Sequence, residues 1–399
     1  MYSLNYKDIK NLVSSVWSPT TQILECRLEH FSKDKRGYLG THGCLEILIR
    51  QVVNKKCYVR SQIFFVKTPP ECKATNEYLF DKRTFWEEEH FYNEVQPLIV
   101  KNFKIPKWSP KCYMAQNNMI VLEDMRSQNY GLYPDDELDE QHLRSALSTL
   151  ARFHGSTILN EKRMGITLKQ AYSRAFEEKL FTNSTKIGRI TLVGFATIAH
   201  LAGKFGLEVN LLPKIYDLVL KLIKTQIDDL NVICHGDLWK NNLLFDKSNP
   251  PNCLLVDFQF LRYASPNVDV AMMIYLLTTP AFRRNSEIDM FNHYYSTLYG
   301  TITRNKCKID NLTYEHMLKD YNKRKIVGMV LGCIYLPGIL LKSQSLSGIA
   351  SDAQTMLDWL LGDRSQIIIE HMKDDPIYKE KIKDIITELF VEAKQVFNT

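Results

Sequence analysis

One stretch constrains the fold more than any other: Val232-Ile233-Cys234-His235-Gly236-Asp237-Leu238-Trp239-Lys240-Asn241-Asn242-Leu243-Leu244-Phe245. Two short apolar runs, Leu243 to Phe245 and Cys253 to Val256, flank the turn-forming residues Asp246-Lys247-Ser248-Asn249-Pro250-Pro251-Asn252. That pattern reads as an antiparallel hairpin. Asn242 starts the hairpin and Asp257, fifteen residues later, ends it. Closing the hairpin brings one amide oxygen and one carboxylate to a common point. Such a pair suits Mg²⁺, which takes oxygen ligands and usually shares them with substrate phosphates. Asp237 lies five residues before Asn242, where it is placed to accept the proton of an attacking hydroxyl. His235 is better suited to holding this loop by hydrogen bonds than to acting as the base.

The whole spacing, H-x-D-x-x-x-x-N followed by apolar residues and D, is that of the catalytic loop and metal site of kinase-type phosphotransferases. Each fragment alone is commonplace, and the information lies in the combination. Other parts can be sought independently. The strand Ser61 to Val66 runs into Lys67, a position from which an ammonium can hold α- and β-phosphates. Twenty-one residues on, Glu88 stands in Phe85-Trp86-Glu87-Glu88-Glu89-His90-Phe91-Tyr92 as its expected partner, with Glu87 and Glu89 as alternatives. Gly37, Gly40 and Gly43 fall between the first two strands, where a phosphate-covering loop belongs, though not in G-x-G-x-x-G spacing. Leu122, Glu123 and Met125 fall at the lobe junction, where an adenine would bond the Glu123 carbonyl and the Met125 amide.

The first ~125 residues read as strands: Thr21 to Phe31, Cys44 to Val53 with Leu45, Ile47 and Ile49 at period two, and Cys57 to Val66 after the turn Asn54-Lys55-Lys56. Thr84 to Val100 reads as a helix, and Met119 to Glu123 as a closing strand. Thereafter the period is helical. Leu143, Leu147, Leu150 and Phe153 share a face behind Asp139, a candidate N-cap. Leu211, Ile215, Leu218 and Leu222 form a second face, and Ile382, Ile386, Leu389 and Ala393 a third. The chain is thus α+β: a strand-rich lobe over 1–125 and a larger helical lobe over 126–399, with a ligand cleft expected between them.

Composition removes other classes. With 45% hydrophobic and 24% charged residues, the chain is an ordinary globular protein. A net charge of +6 spread over 399 residues, without a basic block, does not suggest nucleic-acid binding. The charge-free run Ile326 to Leu341 is 16 residues long and is broken by Gly328, Gly332, Pro337 and Gly338. It is short for a membrane span and reads as a buried helix. Nine scattered cysteines with no C-x-x-C spacing, and a start lacking a signal-peptide core, point to a cytoplasmic protein with reduced thiols and no zinc site. There is no P-loop: Ile198 stands where its first glycine would precede Gly203-Lys204. Asp269 follows Asp257 by only twelve residues, too few for a peptide-docking segment, so a small-molecule acceptor is expected.

His235-Gly236-Asp237-Leu238-Trp239 with Asn242, Val256-Asp257-Phe258-Gln259, and Arg262-Tyr263-Ala264-Ser265-Pro266 with Asp269 resemble the ecdysteroid kinase-like family of insects. That family is a branch of the choline kinase and aminoglycoside phosphotransferase superfamily. Leu122-Glu123-Asp124-Met125, Ala151-Arg152-Phe153-His154-Gly155 and Phe85-x-x-Glu88-x-x-Phe91-Tyr92 extend the resemblance over most of 35–280. It implies a two-lobed protein-kinase-like fold and ATP-dependent phosphorylation of an alcohol. By match, Asp237 is the base, Asn242 and Asp257 are Mg²⁺ ligands, and Lys67 with Glu88 clamps the phosphates. Asp269 tethers the catalytic loop. The irregular glycine loop departs from the pattern, and residues 280–399 match only as helices.

Three functions follow. The first is a kinase for a lipophilic alcohol such as a steroid or xenobiotic, with Ile334, Tyr335, Leu336, Ile339 and Leu340 as candidate pocket wall. The second is a kinase for a cationic acceptor, choline-, ethanolamine- or aminoglycoside-like. Asp352, Asp358, Trp359, Asp363 and Tyr378 are available for its cage, although they read more simply as solvated helix surface. The third is a binding module without catalysis, which usually lacks the base or a metal ligand. No obligate protein partner is evident.

Overall fold

The computed structural model describes residues 6–18, 20–30, 40–70, 82–101, 103–173, 175–182, 184–185, 187–226, 229–341 and 353–398. Five antiparallel strands form the N-terminal sheet: β1 (Gln22–His30), β2 (Thr41–Val53), β3 (Lys56–Thr68), β4 (Cys112–Gln116) and β5 (Met119–Glu123). Their order is β1-β2-β3-β5-β4. Leu45, Ile47 and Ile49 alternate inward on β2 and are fully buried, as their period of two requires. The β2–β3 turn consists of Asn54 (φ 51°) and Lys55 (φ 65°). Two left-handed residues match the strand twist, so Lys56, expected in the turn, pairs with Val53 instead.

Reading the first ~125 residues as strands overlooked a helix, α1 (Tyr6–Val16). It buries Leu12 and Val13 in a small core with Leu45, Ile47, Ile49, Phe64 and Val121. The helical reading of Thr84 to Val100 holds. α2 (Lys82–His90) continues through one π-helical stretch (Phe91–Val95) into Gln96–Val100. The wider turn lets two successive rings, Phe91 and Tyr92, face inward together.

Beyond a 3₁₀ turn at Met125–Gln128 the chain is mainly helical. α3 (Glu140–Met164) is capped by Asp139, whose carboxylate accepts the His142 N–H at 2.9 Å. Its face of Leu143, Leu147, Leu150 and Phe153 is wholly buried. Then come α4 (Gly188–Lys204) and α5 (Leu212–Leu222). Two small antiparallel pairs follow: β6 (Val232–Cys234) with β9 (Arg262–Ala264), and β7 (Leu243–Phe245) with β8 (Cys253–Leu255). α6 (Pro266–Leu277) is buried along its whole length. α7 (Pro280–Arg304), α8 (Tyr314–Ile339), α9 (Ala353–Leu361), α10 (Ser365–Asp374) and α11 (Pro376–Phe397) complete the chain.

α8 crosses α6 at Gly328, where an added Cβ would lie 2.5 Å from the Ala271 carbonyl oxygen, so only glycine allows this approach. The charge-free run ending at Leu341 is therefore core helix. Among the described residues no helix is long and apolar enough to cross a membrane. The eight described cysteines are all free.

Candidate active site

β6 delivers the chain into a loop that only glycine can turn. Gly236 sits at φ 79°, and a Cβ there would lie 2.1 Å from the Phe260 carbonyl oxygen. Asp269, in the first turn of α6, accepts the N–H groups of His235 at 2.5 Å and Gly236 at 3.1 Å. His154 Nε2 lies 3.2 Å from the same carboxylate, and His154 Nδ1 lies 2.8 Å from the Tyr294 hydroxyl. Burial works against the Asp269 charge. The hydrogen bond and charge of His154, with the loop amides, nevertheless hold its carboxyl below the ordinary carboxylate value. Cys234 also comes near His154 and Asp269. The Asp269 oxygens and both His154 nitrogens are already taken by hydrogen bonds, so this is a polar core rather than a metal centre.

His235 is fully buried. Its Nε2 faces the Val256 carbonyl at 3.0 Å, which can only accept, so Nε2 carries the proton. Nδ1 then accepts the Asp237 N–H at 3.3 Å. Burial lowers its pKa and keeps the ring neutral. Both nitrogens are spent on loop geometry, the arrangement that suits a positioning residue.

The hairpin closes as its spacing requires. Leu243 pairs with Leu255, and the Val256 N–H donates to the Asn242 carbonyl at 3.1 Å. Asn242 Nδ2 donates to the Asp237 carbonyl at 2.8 Å and to its carboxylate at 2.9 Å. The amide oxygen of Asn242 is left for another ligand. Asp257 adopts φ 69°, a left-handed conformation rare for a residue with a side chain, at the point where the hairpin ends. Burial, reinforced by the Asp257 charge, pushes the Asp237 carboxyl up to about 8, against the pull of Asn242, Lys67 and Arg262.

Lys67 projects from β3 into the same space. Its Nζ lies 2.6 Å from Glu88 Oε2 and 2.7 Å from Asp257 Oδ1, and the Phe258 N–H donates to Glu88 Oε1 at 3.1 Å. One buried ammonium therefore serves two carboxylates. Burial pushes Glu88 up to about 7 in spite of Lys67. Burial alone would lower Lys67, but Asp257 and Glu88 together raise it above its ordinary value. The three successive glutamates part ways here. Glu87 pairs with the buried Lys179, and Glu89 accepts backbone N–H groups of Asn118 and Met119. Below the clamp Phe258 stacks on Phe91 at 4.7 Å and contacts Trp108, Phe153 and His235 at 5.7, 5.6 and 4.8 Å. This apolar cluster ties the helical run that follows α2 to the loop carrying His235.

The glycine-loop reading is corrected in part. Gly37 lies outside the described residues. Gly43 belongs to β2, opposite Val66, because the β1–β2 ladder runs out to His30 and Gly43. Gly40 does come close to the clamp: a Cβ there would be 3.3 Å from both Lys67 Cε and the Thr68 carbonyl oxygen. Leu122 and Glu123 end β5 beside β3, opposite Phe65 and Phe64. The Glu123 N–H donates to the Lys111 carbonyl at 2.8 Å, and its carboxylate is held by Lys107 at 2.5 Å and by Gln128 at 2.7 Å. Met125 opens the 3₁₀ turn and is buried.

The motif spacing assigned no role to Arg262 or Lys179. Arg262 is buried against Glu178 at 3.0 Å and reaches the Gly236 carbonyl at 3.4 Å. Lys179 donates to the Leu261 carbonyl at 3.0 Å. Both work through tertiary contacts and leave no local pattern. An amide oxygen and a carboxylate beside a buried ammonium form a donor set that fits a divalent cation carrying phosphate oxygens. Asn242 and Asp257 would hold the cation, and Lys67 the phosphates.

No curated protein sequence matches the chain. Solved structures similar to it include the Plasmodium vivax ethanolamine kinase, with 11% identity over 94% of this chain and 89% of that one and a TM-score of 0.41. The choline kinase LicA from Streptococcus pneumoniae has 13% identity over 92% and 99%, with a TM-score of 0.39. The macrolide 2'-phosphotransferase MphH from Brachybacterium faecium has 11% identity over 82% and 90%, with a TM-score of 0.34. A family model, that of the ecdysteroid kinase-like family, matches residues 45–307. The matched span takes in more than half of the sequence and runs unbroken from β2 to beyond α7, so the chain belongs to the ecdysteroid kinase-like family.

Proposed function

We propose that this chain is an ATP- and Mg²⁺-dependent kinase that transfers the γ-phosphate to an alcohol group of a small lipophilic acceptor, with an ecdysteroid-like sterol as the first candidate. The observation that carries this reading is the Lys67 bridge, a buried ammonium 2.6 Å from Glu88 and 2.7 Å from the hairpin carboxylate Asp257. In this reading residues 1–125 are the nucleotide lobe and 126–399 the catalytic and acceptor lobe.

Lys67, held upright by Glu88, orients the α- and β-phosphates under Gly40. Mg²⁺, when bound, neutralises charge on the phosphate oxygens. Asp237 in its ionised form, which Asn242, Lys67 and Arg262 favour against burial, accepts the proton of the acceptor hydroxyl. Asn242 fixes the carboxylate that takes that proton. Asp269 and His235 keep the loop from moving as it does so.

Two of the five residues available for a cationic cage are buried in the core. Trp359 and Tyr378 are core residues rather than solvated surface. The Tyr378 hydroxyl donates to the Pro337 carbonyl at 2.7 Å, and Asp363 accepts the Ser365 N–H at 2.9 Å. Asp352 lies outside the described residues. Of the candidate wall, Ile334 and Leu336 are buried, Ile334 against Gly194, whereas Tyr335, Ile339 and Leu340 remain partly accessible.

The test is a phosphorylation screen of purified protein with Mg·ATP against hydroxylated lipids including ecdysteroids, choline or ethanolamine, and aminoglycosides. Asp237→Asn protein serves as the control. Phosphorylation of a sterol that is lost in the variant supports the reading. Turnover of choline with none of any sterol overturns the acceptor class.

A further inference from the structure

On β2, Leu45, Ile47 and Ile49 face the small core under α1, so His42 and Cys44 face the opposite side of the sheet. Their cross-strand partners are Lys67 and Phe65. Lys67 reaches Glu88 and Asp257 from that side, so His42 shares a face with the clamp. A Cβ on Gly40 would lie 3.6 Å from His42 Nε2 and 3.3 Å from Lys67 Cε. The imidazole nitrogen and the lysine stem therefore border one point, the niche left by the missing side chain of Gly40. The His42 ring packs on Phe65, with ring centroids 5.3 Å apart, which fixes the direction of its nitrogens.

His42 is partly accessible, and among the described residues neither ring nitrogen takes a hydrogen bond. The two buried histidines behave differently: His154 and His235 each engage both nitrogens. Burial, reinforced by the Lys67 charge and only partly offset by Asp257, lowers the pKa of His42 to about 4, so the ring is neutral. A neutral imidazole has one N–H to give, and here it has no acceptor among the described residues. Lys67 is similarly placed, since Glu88 and Asp257 take two of its three protons and leave the third. Two donors thus converge beside Gly40 with no protein acceptor between them.

We infer that His42 is a second phosphate-holding group of the nucleotide site, donating from Nε2 to a phosphate oxygen that Lys67 also holds. This rests on the kinase reading and adds a residue to its nucleotide site. A glycine-rich loop covers phosphates with its main chain. The glycines here lack that spacing, and His42 supplies from a side chain a donor at the point where Gly40 lets the ligand approach. A phosphate oxygen only accepts, so it selects the tautomer with the proton on Nε2 and leaves Nδ1 to solvent. The bond is charge-assisted, because the acceptor is an anion.

The test is calorimetric titration of wild type, His42→Phe and His42→Gln with ATP, ADP and adenosine in the presence of Mg²⁺. His42→Phe keeps a ring on Phe65 and removes the donor. It weakens ATP and ADP by about 10- to 100-fold, the worth of a hydrogen bond to a charged group, and leaves adenosine unchanged. His42→Gln, which carries an amide N–H at similar reach, recovers most of the loss. His42→Leu replaces the phenylalanine variant if that protein does not fold. An ATP affinity equal to wild type in His42→Phe overturns the inference, as does an equal loss for adenosine, which would mark a structural role. Absence of nucleotide binding in wild type overturns both the inference and the kinase reading. Binding of ATP that depends on His42, without phosphorylation of any alcohol, sinks the kinase reading alone. Phosphorylation with a KM for ATP that His42→Phe does not raise sinks the inference alone.

Discussion

Asn242 grips Asp237 twice, donating from one amide nitrogen to the Asp237 carboxylate at 2.9 Å and to its main-chain carbonyl at 2.8 Å. The aim of the proposed base is thus set by the proposed metal ligand. Substitutions at the two positions should therefore be separable only in part.

Asp237→Asn keeps the shape of the loop and removes the proposed proton acceptor. We expect kcat to fall on the order of 10²-fold or more, with nucleotide affinity near wild type. Steady-state kinetics beside a nucleotide-binding titration check this. A variant that turns over normally removes Asp237 from the mechanism.

Asp257→Ala removes a proposed metal ligand and one of the two partners of Lys67, so Mg·ATP-dependent turnover should vanish. Asn242→Ala should raise the Mg²⁺ concentration for half-maximal rate and, because it also frees Asp237, lower kcat at saturating metal. A metal titration that moves with neither variant places the cation elsewhere.

The three adjacent glutamates offer a register test. Glu88→Gln should mainly raise the KM for ATP. Glu87→Gln leaves Lys179 buried without its carboxylate and should lower stability by about 3 kcal/mol in denaturant unfolding. Its effect on ATP use should be the smaller of the two. The reverse pattern would mean that Glu87 is the partner of the nucleotide lysine.

A pH dependence follows from Glu161, which burial pushes up to about 7 although the Leu168 N–H (2.7 Å) and the Tyr263 hydroxyl (3.0 Å) favour its charge. An acid whose folded pKa exceeds its unfolded one holds an extra proton in the native state. Its contribution to stability is full below the unfolded value and is lost as pH climbs through the folded one. The Glu161 share of wild-type stability should therefore fall by on the order of 2 kcal/mol between pH 5 and pH 8, beside the falls that Glu88 and Asp237 add, and Glu161→Gln should remove that share alone. Denaturant midpoints of both proteins at the two pH values decide it. A stability difference that does not change with pH would mean Glu161 is already ionised.

The parts legible in the sequence were those whose geometry is local. A hairpin must bring its two ends together, so Asn242 and Asp257 could be paired from spacing. Period two placed Leu45, Ile47 and Ile49 inward, and a helical period put Glu88 on the helix that faces β3. The strand Cys112–Gln116 went unread because Cys-Tyr-Met-Ala-Gln does not alternate clearly. The signal was in the turn after it, where Asn117 (φ 55°) and Asn118 (φ 59°) are both left-handed. α1 escaped because three turns with only Leu12 and Val13 fully buried make a weak pattern.

The fastening of α2 has a consequence for control. In signalling kinases the corresponding helix swings, and activity swings with it. Here that motion would have to part the Glu87–Lys179 and Glu88–Lys67 ion pairs and unstack Phe91 from Phe258. The clamp is then completed by folding itself rather than by a later signal. For the proposed kinase, flux would then be governed by how many copies exist and how much acceptor reaches them.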